Sequence, residues 1–211
     1  MVTIDSSSVG DANRFRTLAV LEETLMALPD AHEDNGRVAL LMRRREGGLR
    51  EVLDRVTLAP ETGIPGDAWC RAAQPRQDMQ IAVMQKDVSE LIANGQSLTL
   101  FGDCLLLDLD LSAANLPAGS RVRVGDAILQ VTPEPHNGCK KFRARFGDDA
   151  LRFVSMRELR HRNLRGIYMF VAEAGEVRTG DPVEPNRYLI VLAAGCALVH
   201  DGPVRRAKPV A

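Results

Sequence analysis

The sequence predicts a mainly β chain, closed as an antiparallel barrel and carrying a few short helices. Three observations predict it. Apolar residues alternate over short runs, most clearly from Cys104 to Leu111, where Leu105, Leu107, Leu109 and Leu111 share one face and Asp108 and Asp110 the other. Turn dipeptides separate the runs, among them Gly-Asp pairs at 10, 66, 102, 125, 147 and 180; these read as turn chemistry rather than as a repeat. Many short strands at such spacing suit an antiparallel barrel better than a parallel sheet.

The bulk composition bounds the rest. A chain of 211 residues suits one domain with an extension, and 45% hydrophobic with 26% charged residues is enough for a packed core. The net charge of −1 gives no global field toward nucleic acid or membrane, so anion binding must come from a local patch. The cysteines at 70, 104, 139 and 196 form no CxxC pair and read as thiols of a reducing compartment. The N-terminal stretch MVTIDSSSVGDANR has neither the basic nor the apolar region of a secretory signal. The longest apolar run, Tyr188 to Val199, has 12 residues with Gly195 inside, too few to span a bilayer. A cytoplasmic location, with no nucleic-acid or membrane partner, is the expectation. No Walker loop, GxGxxG or HExxH is present.

Taken in order, residues 1 to about 12 are polar and expected to be mobile. Asn13 caps a helix from Arg14 to Leu28 on which Phe15, Leu18, Leu21, Leu25 and Leu28 make one apolar face, and Pro29 ends it. Arg37–Arg45 alternates as a strand closed by Gly47-Gly48. Leu49–Ala59 fits either a helix or a strand. Pro60–Asp78 is a long irregular loop holding the single tryptophan, Trp69, and loops of that length are often functional. Met79–Met84 reads as a strand and Lys86–Asn94 as a helix stopped by Gly95. Leu98–Phe101 is a further pairing segment. Ser120–Val124 and Ala127–Thr132 form a hairpin around the two-residue turn Gly125-Asp126. Asp148 caps a helix to Met156, and Gly166–Glu173 with Asp181–Leu192 closes the sheet. The expected partition is an N-terminal tail and helical extension over 1–36, a barrel over 37–187, and a C-terminal strand and tail over 188–211.

Chemistry concentrates in Thr132–Gly147, TPEPHNGCKKFRARFG. Pro133 and Pro135 end the preceding strand, and Asn137-Gly138 suggests a tight turn. Cys139 follows, then Lys140, Lys141, Arg143 and Arg145. Cations beside a thiol favour the thiolate, which is both nucleophile and metal ligand; read alone, the segment favours a packed cysteine beside a solvated basic edge. If it continues as a strand, Lys141, Arg143 and Arg145 share a face that suits a phosphate. His136 is a candidate proton shuttle for Cys139, and Arg71 in the long loop a weaker candidate anion contact. A second basic run, Arg157, Arg160, Arg162 and Arg165, reads as solvent-facing. Cys104 and Cys196 lie in apolar runs and read as packing.

The stretch RVRVGDAILQVTPEPHNGCKKF, Arg121–Phe142, resembles the cysteine motif of MOSC domains, named after the C-terminal part of molybdenum-cofactor sulfurase. Gly63-Ile64-Pro65-Gly66-Asp67, Phe101-Gly102-Asp103-Cys104-Leu105 and Gly166–Val171 with Gly175-Glu176-Val177 and Gly180-Asp181 resemble further family segments in the family's order. Three departures stand out: no histidine between Ala68 and Asp78, Gly138 where many relatives have proline, and Cys104 where many have asparagine. The resemblance implies a distorted β-barrel with short helices, and favours strand over helix at Leu49–Ala59. It also implies a pterin-molybdenum cofactor. Cys139 would serve as molybdenum ligand or persulfide carrier, with Asn137, Gly138, Lys140, Lys141, Arg143, Arg71 and Asp103 around the cofactor and His136 beside the thiol. A part in reducing N-hydroxylated compounds, with a sulfur donor or electron-transfer protein as partner, is implied too; pyridoxal phosphate belongs to a separate sulfurase domain and is not expected. The alternative is a non-catalytic barrel that binds an anionic small molecule or a protein.

Overall fold

The computed structural model describes residues 3–5 and 9–186. Its strands are Thr3–Asp5 (β1), Gly36–Arg44 (β2), Leu49–Val52 (β3), Arg55–Leu58 (β4), Ile81–Gln85 (β5), Leu105–Asp108 (β6), Arg121–Val124 (β7), Ala127–Val131 (β8), Ile167–Glu173 (β9), Gly175–Arg178 (β10) and Pro182–Asn186 (β11). The helices are Leu18–Ala27 (α1), Lys86–Ala93 (α2), Lys140–Phe146 (α3) and Asp148–Val154 (α4).

Seven strands close a barrel in the order β2-β11-β7-β8-β9-β5-β6, with β6 returning to β2. From β2 the sheet also runs outward through β3 to β1, and β4 pairs with β10 as a separate ribbon. Every pairing among the described strands is antiparallel except β5 with β6, which are joined by the crossover helix α2 as a parallel pair requires. The Gly125-Asp126 hairpin forms as expected, with Val124 opposite Ala127.

Alternation divides the apolar residues between two layers. Leu105, Leu107, Val122, Leu129 and Val183 fill the barrel, while Leu106 and Met84 point outward onto a layer built with Leu21, Leu25, Phe146 and Phe153 of the helices. Both faces of β6 are therefore buried.

Several local expectations differ from the structure. The first helix begins at Leu18, not Arg14, because Thr17 Oγ1 accepts from Val20 N at 3.4 Å and supplies the cap. Asn13 instead lies in a 3-10 turn capped by Asp11. Part of the tail expected to be mobile, Thr3–Asp5, pairs with β3. Leu98–Leu100 is a 3-10 turn rather than a pairing segment, and the cap of α4 is Gly147, with Asp148 as its first residue. Leu49–Ala59 is strand, in two pieces, β3 and β4. The expected strand to Leu192 and the tail beyond it lie largely outside the described residues.

The largest difference is α3. Lys140–Phe146 coils because Phe142 and Phe146, four residues apart, land on one helical face and close on Phe101, whose ring stacks on that of Phe146 at 4.2 Å. Neither Asn137 nor Gly138 takes a positive φ, so the expected tight turn is absent and 135–139 runs without regular structure into the helix.

Candidate functional site

A cleft of about 450 Å³ opens where β2, β3, the 101–103 turn and the start of α3 meet. Ala68 of the long loop, Phe101-Gly102 of the turn and Cys139 all line it, so the three segments that carry the sequence motifs converge. Cations line the same space: Arg44 and Arg45 from β2 and its end, Arg50 from β3, Lys141 and Arg145 from α3, and Arg165 from the loop before β9.

Two of these cations are matched by buried carboxylates. Arg44 grips Asp67, with Nη2 to Oδ2 at 2.6 Å and Nε to Oδ1 at 3.0 Å. Burial works against the charge on Asp67, but Arg44 outweighs it and holds the carboxyl below its ordinary range. Arg165 Nη1 donates to both oxygens of Asp103 at 3.0 Å, and its guanidinium carbon lies 5.1 Å from the centre of the Phe142 ring. Arg145 is buried, donates to Leu100 O at 2.7 Å, and has its pKa lowered by burial while Cys139 works in the opposite direction.

Arg50 is different. It is 7% exposed, it donates to Gly48 O at 3.0 Å, and its buried Nε has no hydrogen-bond partner. Burial, then Arg145 and Arg44, pull its pKa down to about 10, which leaves it charged at neutral pH. Gly102 makes the room: a Cβ there would lie 2.7 Å from Arg50 Nη2, and the residue has φ of +78°.

Cys139 is exposed at the entry to α3. Cys104 is fully buried, its thiol pushed up to about 12 by burial, which fits the packing role read from its apolar strand. Cys70 is partly buried, its sulfur 3.1 Å from Asp67 O. The side chain of His136 is 6% exposed and its ring stacks on Tyr168 at 4.3 Å. Its Nδ1 stands 3.5 Å from Asp103 Oδ1 but has no hydrogen bond. Burial, with Arg165 adding to it, drives the His136 pKa down to about 3, so the imidazole is neutral at physiological pH and the contact is not an ion pair.

The remaining sequence candidates divide. Asn137 and Lys141 line the cleft, and Asp103 is buried behind it as partner of Arg165. Gly138 packs on Leu151, where a Cβ would come within 2.4 Å of Cδ1. Lys140 is exposed and is not among the residues lining the cleft. Arg143 turns to Asp148, with Nη2 to Oδ2 at 3.1 Å, since the helix rotates it about 100° away from the buried Phe142 onto the exposed side. Arg71 is committed to the carbonyl oxygens of Gly66 and Arg44. The solvent-facing reading of Arg165 is corrected: it is buried and ion-paired. Arg44, Arg45, Arg50 and Tyr168 were missed; the Arg43-Arg44-Arg45 run at the end of a strand was the available signal for the first two.

Among the described residues no group of three His, Cys, Asp or Glu side chains could hold a metal ion by itself, and no helix is long and apolar enough to cross a membrane. The site therefore offers one exposed thiol and a wall of cations, a donor set for an anion with one soft contact.

Comparison with known proteins bears on the family and the fold. The family model described as "MOSC domain" matches residues 77–184, about half of the chain. No curated protein matches. A crystal structure of a hypothetical protein is similar at 20% identity, with a TM-score of 0.55 over 72% of this chain and 69% of the other. The YUAD protein from Bacillus subtilis is similar at 18% identity, with a TM-score of 0.54 over 72% of this chain and 95% of the other. At such identities the likeness is one of fold.

Proposed function

Because this chain belongs to the MOSC domain family, we propose that its cleft holds the pterin-molybdenum cofactor, or its sulfur, with Cys139 as the thiolate ligand or persulfide carrier. The observation that carries the reading is the cation lining: Arg50, Lys141 and Arg145 share a cleft of about 450 Å³ with the exposed Cys139. The residues fit the group. Arg50, Arg145 and Lys141 would receive the phosphate, and the exposed Cys139 thiol would meet the metal or the sulfur. When bound, the cofactor would supply two-electron redox chemistry at molybdenum, the basis for a part in reducing N-hydroxylated compounds.

The chain's own groups have narrower tasks. Asp103 and Arg165 fix the floor of the cleft through their forked ion pair. His136, stacked on Tyr168, stays neutral at physiological pH and gives the cleft wall an uncharged ring that can hydrogen-bond the ligand.

The test is elemental analysis and intact mass spectrometry of protein purified natively from cells that make the cofactor. Molybdenum with pterin, or a mass gain of about 32 Da for one added sulfur, is expected in the wild type and lost in Cys139→Ser. Arg50→Ala should weaken binding of inorganic phosphate by about tenfold in calorimetry, the loss of one charge-assisted hydrogen bond. Protein lacking molybdenum, pterin and persulfide, yet binding phosphate through Arg50, would leave the other reading, an anion-binding barrel without thiol chemistry.

A further inference from the structure

A second cavity, of about 310 Å³, opens where the end of α1, the start of α2 and the chain after β6 meet. Its lining shares no residue with the main cleft, and its charge is opposite. Asp30, Glu33, Asp87 and Asp110 line it, against Arg162 and His161. α1 ends here at Ala27 with no lysine or arginine in its last turn, so the carbonyl end of the helix adds to the negative potential. Among the described residues no three His, Cys, Asp or Glu side chains are grouped to hold a metal ion, so the charge is spread around the space rather than focused on a point.

The carboxylates are unequally committed. Asp110 gives both oxygens to Ser112, at 2.8 Å to N and to Oγ. Asp87 uses only Oδ1, on Val88 N at 2.6 Å, and neither Asp87 nor Asp30 is in an ion pair among the described residues. Gln85 supplies a feature of a different kind. It precedes α2, lines the cavity and is 8% exposed. Its Oε1 accepts from Leu111 N at 3.1 Å, and because a backbone N–H can only donate, that bond fixes which end of the amide is oxygen. Nε2 keeps both hydrogens without a hydrogen bond to any described residue. It is not sealed inside the protein either, so it can meet a ligand at the cavity wall. Leu25, Val88 and Leu164, all buried, give the same space an apolar floor.

We propose that this cavity binds a small organic amine that also carries a carbonyl oxygen, with the ammonium toward Asp30 and Asp87, the oxygen on Gln85 Nε2 and the alkyl body on Leu25, Val88 and Leu164. The acidic lining sets the sign of the ligand, and its spread selects an organic cation over a metal ion. The free amide N–H groups select an acceptor at the other end, worth one hydrogen bond over a simple alkylamine. The volume sets the size: at about 30 Å³ for each water displaced, it takes roughly nine or ten non-hydrogen atoms. The site stands apart from the proposed cofactor chemistry, since it uses neither Cys139 nor any cation of the main cleft.

The test is calorimetric titration of the full chain with aminohexanamide, beside hexylamine, which lacks the oxygen, and hexanamide, which lacks the charge. Wild-type protein should bind aminohexanamide at one site, about fivefold more tightly than hexylamine, the effect of one hydrogen bond, and should bind hexanamide more weakly than either. Asp30→Asn with Asp87→Asn, which keeps an oxygen for Val88 N, should weaken both amines by about fivefold. Gln85→Glu keeps an oxygen on Leu111 N and removes only the donor. Its added charge acts on both amines alike, so the readout is their ratio, which should fall to about one. Equal affinity for hexanamide and aminohexanamide, a fivefold ratio that survives Gln85→Glu, or amine binding unchanged by the double substitution overturns the proposal. Saturating inorganic phosphate should leave the titrations unchanged; displacement of the amine by phosphate would place it in the main cleft and overturn the proposal as well.

Discussion

At the scale of the residue, the site turns on which side chains are exposed and which are satisfied. Cys139 is exposed, Cys70 partly buried against a carbonyl, and Cys104 sealed in the core. Alkylation followed by peptide mass spectrometry should therefore label them in that order. Lys141→Ala should slow Cys139 labelling at low salt more than at high salt, because exposed charges are screened. Arg143→Ala should not, since Arg143 is turned to Asp148; equal slowing by both variants would remove Lys141 from the cleft. His136 makes a pH prediction. Its folded pKa of about 3 lies below the ordinary histidine value, so the unfolded chain takes up a proton first as pH falls. Stability from the neutral ring is complete above about pH 6.5 and declines toward pH 3 by about 1.4 kcal/mol per unit. Denaturant unfolding of wild type and His136→Asn across that window should show the shallower slope in the variant. The sequence displayed Cys139 and its neighbours because they are contiguous. It hid Arg50 and Arg165, whose meaning depends on residues distant in the chain: Arg165 finds Asp103 across 62 positions and otherwise reads like the other arginines of its run.

At the scale of the element, strands were more legible than the helix that matters most. Leu105–Asp108 and the 121–131 hairpin declare themselves through alternation and a Gly-Asp turn. Lys140–Phe146 does not, because seven residues with prolines and a glycine just upstream carry a weak helical signal. Its stability comes from packing against Phe101, a contact no local pattern announces. Phe146→Ala should consequently cost about 3–5 kcal/mol in chemical denaturation. The 101–103 turn is a second element whose shape serves the site. Gly102→Ala would force a side chain onto Arg50 and a left-handed backbone at once. It should weaken phosphate binding in calorimetry and lower stability by about 1 kcal/mol; an unchanged phosphate affinity would show that Arg50 does not face the ligand.

At the scale of the whole molecule, the barrel expectation holds, with one parallel pair where α2 carries the chain from β5 to β6. Closure depends on β11, which lies between β2 and β7, and on Val183, fully buried and opposite both Val124 and Gly36. Val183→Asp places a carboxylate in that core and should lower the unfolding midpoint in a single transition seen alike by far-ultraviolet dichroism and tryptophan fluorescence. Two separated transitions would mean that β11 is dispensable to the rest. The same pairing has a consequence in time. Gly36 leaves the ribosome 147 residues before Val183, its partner; at about 5–20 residues per second that is an interval of roughly 7 to 30 seconds. Late in it, once Glu173 has been made, the nascent chain can assemble β7 with β8 and β9, yet the edges of β2 and β7 that will receive β11 have nothing to pair with. Those open edges invite pairing with neighbouring chains on a polysome, so slowing synthesis between Glu173 and Val183 should lower the yield of folded protein, measured as the fraction recovered in the supernatant.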